Sequence, residues 1–236
     1  MRAILVTLLC TCALAASAVA RADLYTPFQA QYEVYHGSSS LGGGRYELEK
    51  LAENRYRLGY ESAVKYLFLS DKRTEHTEFT VTDEGLMPQH YRMERSGSGP
   101  DFGAEITFDH GSDNIHAQYK KRQAEFELTP PIYDSLLYQQ QLRLDVANGV
   151  TEMYYPFIQK TGRREYHFKV TGTETLKLPF GTLETVKIER IRDPNSEKET
   201  IFWLVPELDY IVARLAHFEE GKLKADMQLK QVEFEP

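Results

Sequence analysis

The sequence predicts an all-β, mainly antiparallel protein: a strongly curved sheet or open half-barrel with one short helix packed on it. Three observations predict it. Apolar residues alternate with polar ones at period two along most of the chain. Turn-forming clusters recur about every ten residues, at the spacing of sheet-rich meanders and barrels. A single stretch, Pro130 to Gly149, breaks the alternation.

The strands follow from the alternation. FQAQYEVYHG places Phe28, Ala30, Tyr32 and Val34 on one face, with Gln29, Gln31 and Glu33 on the other. AEITFDHG sets Ala104, Ile106 and Phe108 opposite Glu105, Thr107 and Asp109. RREYHFKVTG sets Tyr166, Phe168 and Val170 opposite His167 and Lys169, and LKADMQLKQVEF carries Leu223, Ala225, Met227 and Leu229 on one side. Such strands bury one face and wet the other. Between them lie GSSSLGGG, AENR, TDEG, SGSGPDFG, GSDN, LPFGT, DPNSE and EEGK. Their Gly, Asn and Asp residues accept the positive φ that tight turns require. A long sheet of many strands curls, and its inner face here is aromatic and aliphatic.

The exceptional stretch reads PPIYDSLLYQQQLRLDVANG. Two prolines stop the preceding strand, Asp134 can cap a helix start, and Asn148-Gly149 can end it. A helix is expected from Ile132 to Leu144, with Leu136, Leu137 and Tyr138 inward and Gln139 to Gln141 exposed. TIFWLVPELDYIVARL holds the one tryptophan, Trp203, in an apolar run. Ile201, Trp203 and Val205 point one way, Phe202 and Leu204 the other. A strand apolar on both faces is covered on both, here by the sheet's concave side and by the helix. Pro206 fits the second position of a type I turn, and the return strand starts at Tyr210.

The N-terminus reads MRAILVTLLCTCALAASAVARADLY. Arg2, an apolar run and small residues at 18, 20 and 22 form a secretory signal peptide over residues 1–22. Cleavage falls after Ala22, or after Ala20. A retained anchor fits less well, because the run is short and ends in small residues. Cys10 and Cys12 lie within this segment, preceded by Leu9 and Thr11 rather than the small residue a lipid attachment needs. The exported chain thus carries no cysteine, hence no disulfide, thiol nucleophile or thiolate metal site. Residues 23–236 are read as a single periplasmic domain of 236 − 22 = 214 residues, not membrane-spanning after cleavage. Loss of Arg2 and Arg21 takes the formal charge from −7 to −9, which disfavours a nucleic-acid partner.

Candidate chemistry is sparse, and no catalytic residue, cofactor or metal is expected. His76 and Glu78 share a strand face, without a recognisable third ligand. Ser135 follows Asp134 but lacks a glycine elbow. GSSSLGGGR lacks the Lys-Ser/Thr of a phosphate loop, and Pro100 interrupts SGSGPDFG. Glu105 and Asp109 share a face, as alternating acids on a wet sheet commonly do. YKKRQ and KTGRRE are basic clusters that read as a solvated strand face blunting edge pairing, and that could touch anionic headgroups.

Several stretches in this order resemble the secreted bacterial family of unknown function numbered 3108: PFQAQYEVYHGSSSLG, TEFTV with LMPQHYRME, YDSLLYQQQLR, LPFGTLETVKIER and TIFWLVPELDYIVARL. The chain reads Ile211-Val212-Ala213-Arg214 where the family pattern has Leu-Pro-Val before the arginine. The resemblance implies an envelope protein with a curved antiparallel sheet and no established activity. The function expected is non-enzymatic binding of a lipid-like or other apolar molecule, or envelope maintenance, with Phe28, Tyr32, Ile106, Phe108, Phe168 and Val170 as the candidate apolar face. The alternative is a module that docks an envelope protein through a sheet edge or the basic strands.

Overall fold

In the computed structural model, residues 24–235 are described. The leader-like segment, with both cleavage positions, lies outside them. The chain begins with β1 (Phe28–His36), β2 (Ser39–Ala52), β3 (Arg55–Tyr66), β4 (Leu69–Thr82), β5 (Gly85–Gly97), β6 (Phe102–Asp109), β7 (Asn114–Tyr119) and β8 (Arg122–Glu127). After β9 (Tyr133–Asp134) and helix α1 (Leu137–Ala147) come β10 (Glu152–Gln159), β11 (Gly162–Leu178) and β12 (Gly181–Ile191). The chain then runs through β13 (Lys198–Val205), a 3-10 turn at Pro206–Leu208, β14 (Ile211–Glu219) and β15 (Lys222–Phe234). All fifteen strands of the described residues belong to one sheet, ordered β8-β7-β6-β5-β4-β3-β2-β1-β15-β14-β13-β12-β11-β10-β9. Every pairing is antiparallel except the short parallel contact of β9 with β10.

The period-two reading of the strands holds. Phe28, Ala30 and Tyr32 are buried on β1, and Ala104, Ile106 and Phe108 on β6. Curvature comes from register shifts, since an extra residue in one strand bends it and tightens its twist. One lies between Gln31 and Tyr32 where β1 meets β15, another at Gly172 in β11. The sheet curls until its ends approach. The Lys160 ammonium, in the β10–β11 turn, sits 4.9 Å from the Tyr119 ring at the end of β7. The Thr77 hydroxyl on β4 donates to the Asp134 carboxylate of β9 at 2.6 Å.

The helix departs from expectation at its start. It begins at Leu137, not Ile132, because Tyr133 and Asp134 pair with Phe157 and Ile158 of β10. Asp134 still serves the helix entry: one carboxylate oxygen accepts the N–H groups of Leu136 and Leu137 at 2.8 and 2.9 Å. Those donors have no partner within the first turn. The helix is also more enclosed than its glutamines suggested. Gln140 is buried and its amide donates to the Leu24 carbonyl; Arg143 is buried and donates to the Asp209 carbonyl at 2.7 Å. These bonds offset the cost of burying polar groups.

The Trp203 strand is buried on both faces, as predicted, but one cover differs. Phe202 meets Phe168, which stacks on Tyr138 of α1, so the helix side is as expected. Trp203 faces away from it and is 3% exposed. Its cover is the far end of the β11–β12 hairpin rather than the sheet's concave side. Leu176, Leu178 and Leu183 are buried there, and the Phe180 N–H bonds the Leu229 carbonyl of β15 at 3.0 Å. The indole N–H donates to Glu174 at 2.9 Å, and the Arg214 guanidinium lies 4.8 Å from the ring. Beyond Val205 the chain makes the 3-10 turn instead of a type I turn. Asp209 and Tyr210 then take positive φ, of 50° and 60°, and β14 starts one residue later than expected.

Candidate functional site

Of the six residues expected to form an apolar binding face, Phe28, Tyr32, Ile106, Phe108 and Phe168 are at most 5% exposed, and Val170 is half-buried against the same core. Leu136, Leu137, Tyr138 and Leu142 fill the space they face. Tyr138 carries the packing toward β10 and β11, with its ring 5.2 Å from Phe157, 6.0 Å from Phe168 and 6.1 Å from Tyr155. The structure thus brings these positions together as a shared core.

A cleft of about 450 Å³ opens where the β4–β5 turn, the β6–β7 turn, the segment before β9 and α1 converge. Leu86, Met87, Pro88, Leu128, Ile132 and Tyr133 supply most of its apolar wall. Leu86, Leu128, Ile132 and Tyr133 are buried, which fixes the floor. The rim is ordered by local polar bonds. The His110 ring bonds the Pro88 carbonyl at 2.6 Å, and the Thr82 hydroxyl donates to the Gly85 carbonyl at 3.0 Å. The Asp109 carboxylate accepts the N–H groups of Gly111 and Ser112, and the Leu128 N–H reaches the Asp113 carbonyl. Burial, with the nearby Asp145 charge, pushes the Tyr133 hydroxyl up to about 12, so it remains a neutral donor. Size and lining match preformed small-molecule sites, which are mostly apolar with a few polar groups.

Sequence reasoning missed this cleft. Its walls come from GLMP and LTPPIY, two places where apolar residues adjoin proline. Read singly, these are a strand start and a strand stop. Apolar residues next to a strand break, where no sheet neighbour covers them, are the signal that could have found the site.

The remaining candidates fall on the outer face or in local turns. Glu78 is held by Arg55 and Arg57, at 3.3 and 2.7 Å. Glu105 pairs with His90 at 2.8 Å, while Asp109 is occupied by its own turn. Among the described residues no group of three or more His, Asp or Glu is placed to hold a metal ion. The basic clusters YKKRQ and KTGRRE, distant in sequence, form the adjacent β7–β8 and β10–β11 turns. On the inner wall near that end, the Arg190 guanidinium stacks 3.3 Å from the centre of the Tyr166 ring, and Arg192 donates to the Thr200 hydroxyl at 2.9 Å. The same hydroxyl lies 3.0 Å from His217 Nδ1. Burial and the two arginines push the His217 imidazole below its ordinary value.

Fold and cleft define an open, barrel-like all-β protein with a formed concavity. The chain belongs to the DUF3108 family, described as a protein family of unknown function, whose model matches residues 31–228. No curated protein matches the sequence. Among solved structures, it is similar to a β-barrel-like protein of the domain of unknown function DUF1849 from Brucella abortus. The TM-score is 0.57 at 10% identity, covering 89% of this chain and 98% of that one. At that identity the likeness concerns the fold.

Proposed function

We propose that this is a non-enzymatic protein of the bacterial periplasm that holds an apolar or lipid-like small molecule in the cleft beside Pro130 and Pro131. The observation that carries the reading is the preformed apolar concavity of about 450 Å³, walled by Leu86, Met87, Leu128 and Ile132. Binding there leaves the packed core around Phe168 undisturbed. The signal-like residues 1–22 support the compartment. Docking of a partner by strand addition is less favoured, because the short edge strand β8 carries three charged residues, Arg122, Glu125 and Glu127, which protect an edge against pairing.

The test is titration of the purified protein with a fluorescent fatty acid, together with mass spectrometry of lipid extracts from gently isolated material. Saturable binding that Met87→Asp weakens about tenfold is expected, with an unchanged melting curve for the variant. A probe signal that ignores Met87→Asp, or no saturable signal and no co-purifying species, would sink the proposal. Export is checked on the same preparation: the mature chain is expected to start at Asp23, or at Arg21, and an intact Met1 on periplasmic material would contradict it.

A further inference from the structure

We propose that the opposite end of the barrel is a docking surface for a membrane that displays anionic headgroups. The β3–β4 turn carries Tyr66, Leu67, Phe68 and Leu69, which are 48, 82, 99 and 64% exposed. The Tyr66 ring packs edge-on against His36 at 5.4 Å, but Leu67, Phe68 and Leu69 stand out into solvent beyond it. A two-residue turn favours Gly or Asn where φ is positive, yet Leu67 stands there with φ of 54°. The sequence has placed bulk and hydrophobicity where turn chemistry asks for neither.

The charge around the tip fits an anionic layer. Lys65 and Lys72, on the two strands of the same hairpin, make no ion pair among the described residues. In an antiparallel meander alternate turns share one end, so the β7–β8 turn stands at the end that the β3–β4 tip occupies. β4 and β7 are three strand spacings apart, roughly 14 Å. Lys120 and Lys121 form the β7–β8 turn and Arg122 opens β8, with Lys160 of the β10–β11 turn beside them. They too lack ion pairs among the described residues. The Lys120 and Lys160 ammonium groups lie over aromatic rings, 4.8 Å from Phe102 and 4.9 Å from Tyr119. Just inside the same mouth, Arg190 and Arg192 have tyrosine and threonine as partners and, among the described residues, no carboxylate.

An interfacial element buries apolar side chains at the acyl boundary while its lysines and arginines stay among the phosphates. The tip and its flanking cations have that form. The exported chain, of formal charge −9 once Arg2 and Arg21 are removed from the −7 of the full sequence, is repelled by an anionic surface on average, so a cationic end also fixes its orientation. The acidic Glu219 ends β14 and Glu220 lies in the β14–β15 turn, which tilts contact toward the β3–β4 and β7–β8 side.

The experiment is vesicle flotation of the purified protein, using phosphatidylcholine vesicles with and without phosphatidylglycerol, at low and high salt. Every substitution is at an exposed position, and thermal melts report folding. The protein is expected to float with the anionic vesicles and to be released by salt. Phe68→Asp should cut partitioning at least about tenfold, given the area that a Phe side chain buries. The double charge reversal Lys120→Glu/Lys121→Glu should cost at least about 30-fold on anionic vesicles, the loss expected for two basic residues before the added repulsion of the new carboxylates. No flotation at low salt would overturn the proposal, and so would equal flotation of folded Phe68→Asp. A soluble protein partner captured through the tip by a chain that ignores vesicles would replace it with protein docking. Fatty-acid binding in the distant cleft is measured separately, so failure of either proposal leaves the other standing.

Discussion

Asp134 links the fold to pH in a way that a single substitution can isolate. It is wholly buried between β9 and α1, accepting from the Thr77 hydroxyl and from the N–H groups of Leu136 and Leu137. Burial raises its pKa from 3.8 to about 6, against the lowering effect of those three bonds, and the nearby Glu75 charge adds to the rise. Burial likewise raises Glu75, whose carboxylate accepts the Tyr91 hydroxyl. A carboxyl whose folded pKa exceeds its unfolded value binds its proton more tightly in the folded chain. The stability it contributes is complete below about pH 4 and is lost as pH rises through 6. The rise from 3.8 to about 6 corresponds to ~3 kcal/mol. Asp134→Asn mimics the neutral carboxyl and keeps an oxygen for the two helix N–H groups. Urea unfolding of both proteins from pH 4 to about 7.5 is the assay. The wild type is expected to lose about 3 kcal/mol relative to Asp134→Asn across pH 4 to 6 and to run parallel to it above. The comparison cancels titrating groups that do not interact with Asp134, and any constant cost of the amide; Glu75, which does interact with it, titrates as part of the same difference. Parallel curves throughout, or a wild type that gains on the variant as pH rises, would refute the assignment of a raised Asp134 pKa.

Other consequences follow from specific packing. Trp203→Ala removes a side chain enclosed by the β11–β12 hairpin end and should cost about 3–5 kcal/mol in chemical denaturation; the native indole should emit blue-shifted and resist iodide. Gly97 has φ of +125°, and a Cβ there would lie 2.3 Å from the Ser70 carbonyl oxygen. Gly97→Ala should therefore lower the melting temperature, whereas Gly111→Ala, on an exposed turn at ordinary φ, should shift it much less. Ser135→Ala and His76→Ala should leave folding near wild type by circular dichroism.

The amino-acid sequence by itself determined the strands, their inward faces and most turns, because side-chain alternation and turn chemistry act over two to four residues. It also determined that Trp203 is buried on both sides, since an apolar strand without alternation needs two covers. Which covers it receives was decided only by the tertiary structure. The β11–β12 hairpin bends at Gly172 and folds over β13–β15, a long-range event that leaves no local periodicity. The late helix start has a similar origin: Tyr133 and Asp134 are helix-compatible in isolation but gain a parallel partner in β10. The expected apolar face was legible as inward-facing, yet the alternation could not tell a filled core from an open one, because that depends on where α1 lies across the sheet. The cleft and the cationic end belong to the same class. Leu86 and Ile132 are far apart in the chain, as are Lys120 and Lys160, and only the curl of the sheet sets each pair side by side.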